Sequence, residues 1–144
     1  MPRYATIYAM PGLSFNHAMV YSRNVDAAVC FYADLLKFKR LEVFKYGDRM
    51  VYARLKSPHG NTTMALHLLE PGQELHPGAV RLYFEVSELR ELKQLCKRLE
   101  KAGVTLTKQP QKMQWGWTHA YLDDPDGHEV SLYWAGEKRL RQSK

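Results

Sequence analysis

The chain has 144 residues, 45% hydrophobic and 25% charged, a composition that excludes the low-hydrophobicity corner where disordered chains lie. At roughly 100–200 residues per domain the length fits one folded unit, and the longest apolar runs fall well short of the roughly 20 residues of a membrane span. Lys and Arg number 21 against 15 Asp and Glu, but the excess gathers in the tail 136–144 and along 93–101, where Lys93, Lys97, Arg98 and Lys101 accompany Glu100; this reads as solvated surface, not a nucleic-acid face.

The N-terminal MPRYATIYAM lacks the apolar stretch of a signal peptide, so a cytoplasmic protein with no membrane partner is expected. Residues 16–22 then read as a strand. Asn24 is placed to cap a helix with Val25, Ala28, Phe31, Leu35 and Leu36 at helical spacing, running to Lys37 and Phe38. Strands follow at 39–44, 50–55 and 63–69, separated by turn formers at 46–48 and 57–61. After a Pro- and Gly-bearing linker at 70–78 the order repeats. A strand at 80–86 leads to a helix capped by Ser87, with Leu89, Leu92, Leu95, Cys96 and Leu99 as its apolar stripe and Gly103 ending it. Strands at 105–108, 117–122 and 128–134 complete the chain, the last two joined by the tight turn 124–127. The residues thus predict one α+β domain over 1–144, made of two β-α-β-β-β modules at about 14–70 and 79–135. Cys30 and Cys96 fall on the two helices and are expected as free, buried thiols.

Strand alternation separates two faces. Val80, Leu82, Phe84 and Val86 share one side of their strand, and Arg81, Tyr83 and Glu85 the other. In the last strand Val130 and Leu132 oppose Glu129, Ser131 and Tyr133; in the first, Ala18 and Val20 oppose His17, Met19 and Tyr21; and Leu66 and Leu68 oppose Ala65, His67 and Leu69. The aliphatic face fits under a helix. The other mixes rings with His, Arg and Ser, the composition of a ligand cavity.

The stretch from His17 through Tyr32 to Phe38 (HAMVYSRNVDAAVCFYADLLKF), and that from Trp115 to Leu132 (WGWTHAYLDDPDGHEVSL), resemble the vicinal oxygen chelate superfamily, which includes glyoxalase, bleomycin resistance proteins and extradiol dioxygenases. The resemblance covers about 14–134, with Lys37 standing where the family usually has Gly. It implies a glyoxalase-like fold in which the two modules pair into an incompletely closed sheet around a cavity. It also implies a metal held from the first and fourth strands of each module, here His17, His67, Arg81 and Ser131. Glyoxalase-type members carry His or Gln, Glu, His and Glu at those positions. Two imidazoles leave a divalent cation short of ligands, and a permanently charged guanidinium opposes it. No cofactor is therefore expected; the alternative is a divalent ion (Ni, Zn, Mn or Fe) on His17 and His67.

The favoured expectation is a binder of a small anionic or aromatic molecule. Arg81 would hold the ligand's polar group, with added hydrogen bonds from Ser131, His17 and His67, and with Tyr21, Tyr83, Tyr121, Tyr133, Trp115 and Trp117 as walls. No catalytic residue is assigned. One alternative is a metal-dependent lyase, isomerase or dioxygenase acting on two adjacent oxygens, like lactoylglutathione lyase, with Glu70, Glu85 or Glu129 as its carboxylate; another is a partner-binding module whose cavity is filled by its own side chains. Arg81 could instead pair with Glu85 or Glu129. His59, His76, His119 and His128 receive no role, although His119 shares strand parity with Trp117 and Tyr121. A homodimer is expected from the resemblance, and Tyr4, Ile7 and Tyr8 in segment 1–13 could form an edge strand, a lid or a subunit contact.

Overall fold

A computed structural model describes residues 12–136. Tyr4, Ile7 and Tyr8, and the basic tail beyond Gly136, lie outside the described residues. The elements run β1 (His17–Ser22), α1 (Val25–Val29), β2 (Lys39–Tyr46), β3 (Arg49–Lys56), β4 (Thr63–Leu68), β5 (Arg81–Glu85), α2 (Leu89–Lys101), β6 (Leu106–Lys112), β7 (Thr118–Asp123) and β8 (Glu129–Trp134). No helix among the described residues is long and apolar enough to cross a membrane.

Asn24 caps α1 as its side chain predicts: its Oδ1 accepts the Ala27 amide at 3.0 Å. Beyond Val29 the helix widens into a π-type segment, Cys30–Leu35. The Leu36 amide still reaches the Phe31 carbonyl at 3.2 Å, and the Phe38 amide reaches that of Tyr32 at 3.0 Å. The chain leaves through Lys37 at φ 66°, the left-handed position where a relative's glycine would sit without a Cβ penalty. Ser87, by contrast, does not cap α2. Glu88 occupies that position without a side-chain bond, and Ser87 Oγ donates to Glu91 Oε2 at 2.9 Å. Gly103 does end α2, at φ 91°. Cys96 is buried, its thiol pushed up to about 11 by burial and Glu100; Cys30 is exposed, contrary to the sequence reading, because it lies about 140° round the helix from Val25 and off the buried stripe of Val25, Ala28 and Val29.

The strands form two open four-stranded sheets, ordered β1-β4-β3-β2 and β5-β8-β7-β6. In each, the first and last strands of the module run parallel side by side: His17 pairs with Thr63 and Tyr21 with His67, as Arg81 pairs with Glu129 and Glu85 with Tyr133. β6 runs past the expected 105–108 to Lys112; as an edge strand with register shifts it tolerates Pro110.

One apolar cluster spans both modules, taking Val25, Ala28 and Val29 from α1, Leu92, Cys96 and Leu99 from α2, and Leu55, Leu66, Leu122, Val130 and Leu132 from the sheets. Tyr32 and Phe38 carry it across to Phe84 of β5, with ring centroids 6.3 and 5.1 Å away. Polar ties cross at the β7–β8 turn. The Tyr32 hydroxyl donates to Asp124 Oδ2 at 2.7 Å, the Arg23 amide to Asp126 Oδ1 at 2.8 Å, and His128 Nε2 to the Tyr21 carbonyl at 2.8 Å. Burial, then the Asp124 carboxylate, raises the Tyr32 phenol well above its ordinary range, so it stays a donor.

Candidate functional site

With the aliphatic sides of the strands committed to this core, the remaining face of the second sheet collects the aromatic and polar side chains. The turn before β7 sets its upper end. Gly116, at φ 95°, donates to the Met113 carbonyl, and the Met113 amide returns to that of Trp117 at 2.7 Å, delivering Trp115 and Trp117 to the sheet. From there Trp117, His119 and Tyr121 follow at every second position, beside Tyr133, Ser131 and Glu129 of β8 and Glu85, Tyr83 and Arg81 of β5.

His119 is the hub of this face. It is fully buried, and its Nδ1 lies 2.7 Å from Ser131 Oγ. Five rings surround it. Tyr133 lies nearly parallel at 5.3 Å, Trp117 at 6.1 Å, and Trp115, Tyr83 and Tyr121 approach tilted or edge-on at 5.6–5.7 Å. Its Nε2 is buried with no hydrogen-bond partner. Burial, and then the charge of Arg81, lower its pKa from the ordinary 6.5, so the ring is neutral at pH 7. In the neutral ring one nitrogen donates and the other accepts, so Nε2 is left as a single unsatisfied polar atom, closed off from solvent by the rings around it.

Arg81 stands at the other end of the face. Its guanidinium lies 4.3 Å from the Tyr121 ring centroid and donates to Glu129 Oε1 at 2.9 Å. The Glu129 and Tyr83 hydrogen bonds raise its already high pKa, so it remains a cation. The competing sequence reading of an ion pair with Glu129 is thus the geometry found. It leaves other guanidinium N–H groups on a side chain that is 34% exposed.

Arg81, Ser131, Tyr83, Tyr133 and Trp117 therefore share one face, while Tyr21, His17 and His67 lie on the other sheet. There His17 Nδ1 is 2.6 Å from Thr63 Oγ1, and His67 Nδ1 is 2.6 Å from the Leu68 carbonyl. Because His17 pairs with Thr63, His67 sits four residues further along the ladder, about 13 Å at roughly 3.3 Å per residue. The register also makes Ala65, not His67, the counterpart of Ser131. Two separated imidazoles, a paired arginine and a serine do not fit a divalent metal. Sequence reading passed over His119, although its parity with Trp117 and Tyr121 was visible.

Comparison with known proteins places this geometry. Residues 14–132 match the model of the Glyoxalase/Bleomycin resistance protein/Dioxygenase superfamily. The chain belongs to that superfamily. Among solved members, a glyoxalase/bleomycin resistance protein/dioxygenase from Nocardioides superposes with TM-score 0.75 at 16% identity, over 95% of this chain and 93% of that one. A superfamily domain from Frankia gives 0.70 at 23% identity, over 90% and 95%. Lactoylglutathione lyase from Agrobacterium tumefaciens gives 0.68 at 18%, over 92% and 100%. At these identities the likeness establishes the glyoxalase-like fold alone. No curated protein matches the chain in sequence.

Proposed function

We propose that this superfamily member binds a small planar aromatic molecule on the second sheet, without a metal at the family's usual ligand positions. The reading rests on one observation: a buried, neutral His119 whose Nε2 has no partner, inside a ring of five aromatic side chains. The outer rings, Trp115 at 55% and Tyr83 at 46% exposed, are open to a ligand and supply stacking of roughly 0.5–1.5 kcal/mol each beyond area burial. Because His119 is fully buried, its Nε2 meets a ligand only when the exposed rings Trp115 and Tyr83 swing aside; it then supplies one oriented hydrogen bond, with Ser131 fixing the imidazole through Nδ1. Arg81 would add a contact to a carboxylate or carbonyl at the rim. Its pairing with Glu129 neutralises most of its charge, so aromatic character outweighs negative charge in selecting the ligand.

A thermal-shift and calorimetric screen of the full chain tests this, comparing planar aromatic carboxylates, their neutral amides and aliphatic carboxylates. Aromatic members are expected to raise the melting temperature, the carboxylates modestly more than the amides, because a ligand selective for the folded state must stabilise it. His119→Phe should abolish the effect, and Arg81→Ala should erase the carboxylate's advantage over the amide. Stabilisation by aliphatic carboxylates alone, or shifts untouched by His119→Phe, would overturn the reading.

Self-association is the second part of the proposal. Edge strand β2 exposes Phe44 and Tyr46, at 58% and 85%, which supports pairing with another copy. Sedimentation of wild type against Phe44→Glu measures it. A dimer that the glutamate dissociates is expected, and a concentration-independent monomer would refute this part.

A further inference from the structure

Away from the aromatic face, the β7–β8 turn gathers a second group of side chains. A carboxylate oxygen from each of Asp124 and Asp126 and a ring nitrogen of His128 all lie within 4.8 Å of one another. The turn itself accounts for Asp124, whose Oδ1 accepts the amides of Asp126 and His128 at 2.9 Å each and whose Oδ2 accepts the Tyr32 hydroxyl. It does not account for Asp126. That residue is only 7% exposed; Oδ1 takes the Arg23 amide, while Oδ2 is buried with nothing donating to it. None of the ion pairs among the described residues involves either aspartate. Two carboxylates out of water without a counter-charge are unfavourable, and an orphaned oxygen points to a missing partner.

His128 narrows what that partner is. Its Nε2 lies 2.8 Å from the Tyr21 carbonyl, which can only accept, so Nε2 carries the proton. In the neutral ring the Nδ1 lone pair is then left for another partner. A backbone carbonyl on the far nitrogen is the arrangement that orients metal-ligating imidazoles.

We propose that Asp124, Asp126 and His128 bind a first-row divalent cation, Zn²⁺ or Mn²⁺, which clamps the β7–β8 turn to the first module. Two carboxylates and one imidazole suit these ions better than Ca²⁺, which favours an all-oxygen shell. The ion turns Asp126 Oδ2 from an orphan into a ligand and offsets the paired negative charge, with water completing its coordination. The same three residues hold the Tyr32 hydroxyl, the Arg23 amide and the Tyr21 carbonyl, so the site is assembled only in the folded chain. Its consequence is stability, independent of ligand binding on the aromatic face.

The test uses the full chain, stripped with EDTA, dialysed, and titrated with ZnCl₂ or MnCl₂ by calorimetry and thermal shift. One ion per chain is expected, with a melting temperature higher by about 5–10 °C at hundredfold excess over Kd. Asp126→Asn keeps the Oδ1 acceptor for Arg23, and His128→Gln keeps a donor for the Tyr21 carbonyl, so both should fold and lose the ion. Their metal-free circular dichroism checks the folding, and if Asp126→Asn fails it, His128→Gln decides. His17→Ala and His67→Ala should keep the ion. No stoichiometric uptake, uptake of Ca²⁺ alone, or uptake that survives His128→Gln would overturn the assignment.

Discussion

The two modules lay out the same grid and fill it differently. The parallel ladders make His17 the counterpart of Arg81, Ala65 of Ser131 and His67 of Tyr133; the antiparallel neighbours make Tyr52 the counterpart of His119. In the first sheet a row of rings, Tyr21, His67, Tyr52 and Phe44, crosses four strands with centroids 5.6–6.2 Å apart and stays partly open to solvent. In the second, the counterparts His119, Ser131 and Tyr133 are buried, and a polar atom is left without a partner. Strand position alone therefore does not set a side chain's surroundings. What distinguishes the second sheet is the enclosure of a polar group among rings, where one unmade hydrogen bond weighs heavily.

The sharpest way to break this contrast is to truncate counterparts. Tyr133→Ala should destabilise by about 3–4 kcal/mol, as buried aromatic losses do, whereas His67→Ala should cost about 1 kcal/mol or less. Urea titrations of both variants measure the difference, and equal losses would show that the sheets are energetically alike. Tyr32→Phe comes next. It strips a donor from buried Asp124 and should cost about 1–3 kcal/mol in the same assay.

Acid titration sharpens the comparison at His119. Its folded pKa lies below the ordinary 6.5, so the unfolded chain takes up the proton first. The stability it contributes is complete above pH 6.5 and declines as pH falls below that value. Melting temperatures from pH 7.5 to 4.5 should therefore converge for wild type and His119→Gln as the pH drops; a constant gap would mean that His119 does not titrate with folding. Smallest of all, Glu129→Gln should shift stability by only about 0–1 kcal/mol, because the ion pair is part-exposed, at 34% and 29% for the two side chains. A larger loss in urea titration would place Arg81 and Glu129 in the structural core instead of at a rim.

Much of the fold was readable because it rests on local chemistry. Asn24 caps where its side chain can reach an amide, Gly103 ends a helix by taking a left-handed dihedral, and alternating Val130 and Leu132 find the core. Lys37 was recognised as standing in a glycine's place, and its φ of 66° gives that oddity a physical form. Ser87 misled because its hydroxyl found Glu91 instead of a backbone amide. Cys30 misled because a place on a helix does not by itself bury a residue: it lies off the stripe of Val25, Ala28 and Val29. The candidate site was half legible. Alternation grouped Arg81, Tyr83, Ser131, Tyr133 and Trp117, but the offset between His17 and His67 depends on which residues pair across strands, and a list of parities does not contain that register. His119 was hidden for the same reason: its importance lies in what encloses it.

The Tyr32–Asp124 hydrogen bond has a consequence for the autonomy of the halves. A residue from the first helical segment completes the turn of the last hairpin, and the Arg23 amide and Tyr21 carbonyl close the same joint. Cut at 70–78, neither fragment would retain a finished interior, so the duplicated halves are expected to melt together in a single calorimetric transition, and separated pieces to regain structure only by complementing each other.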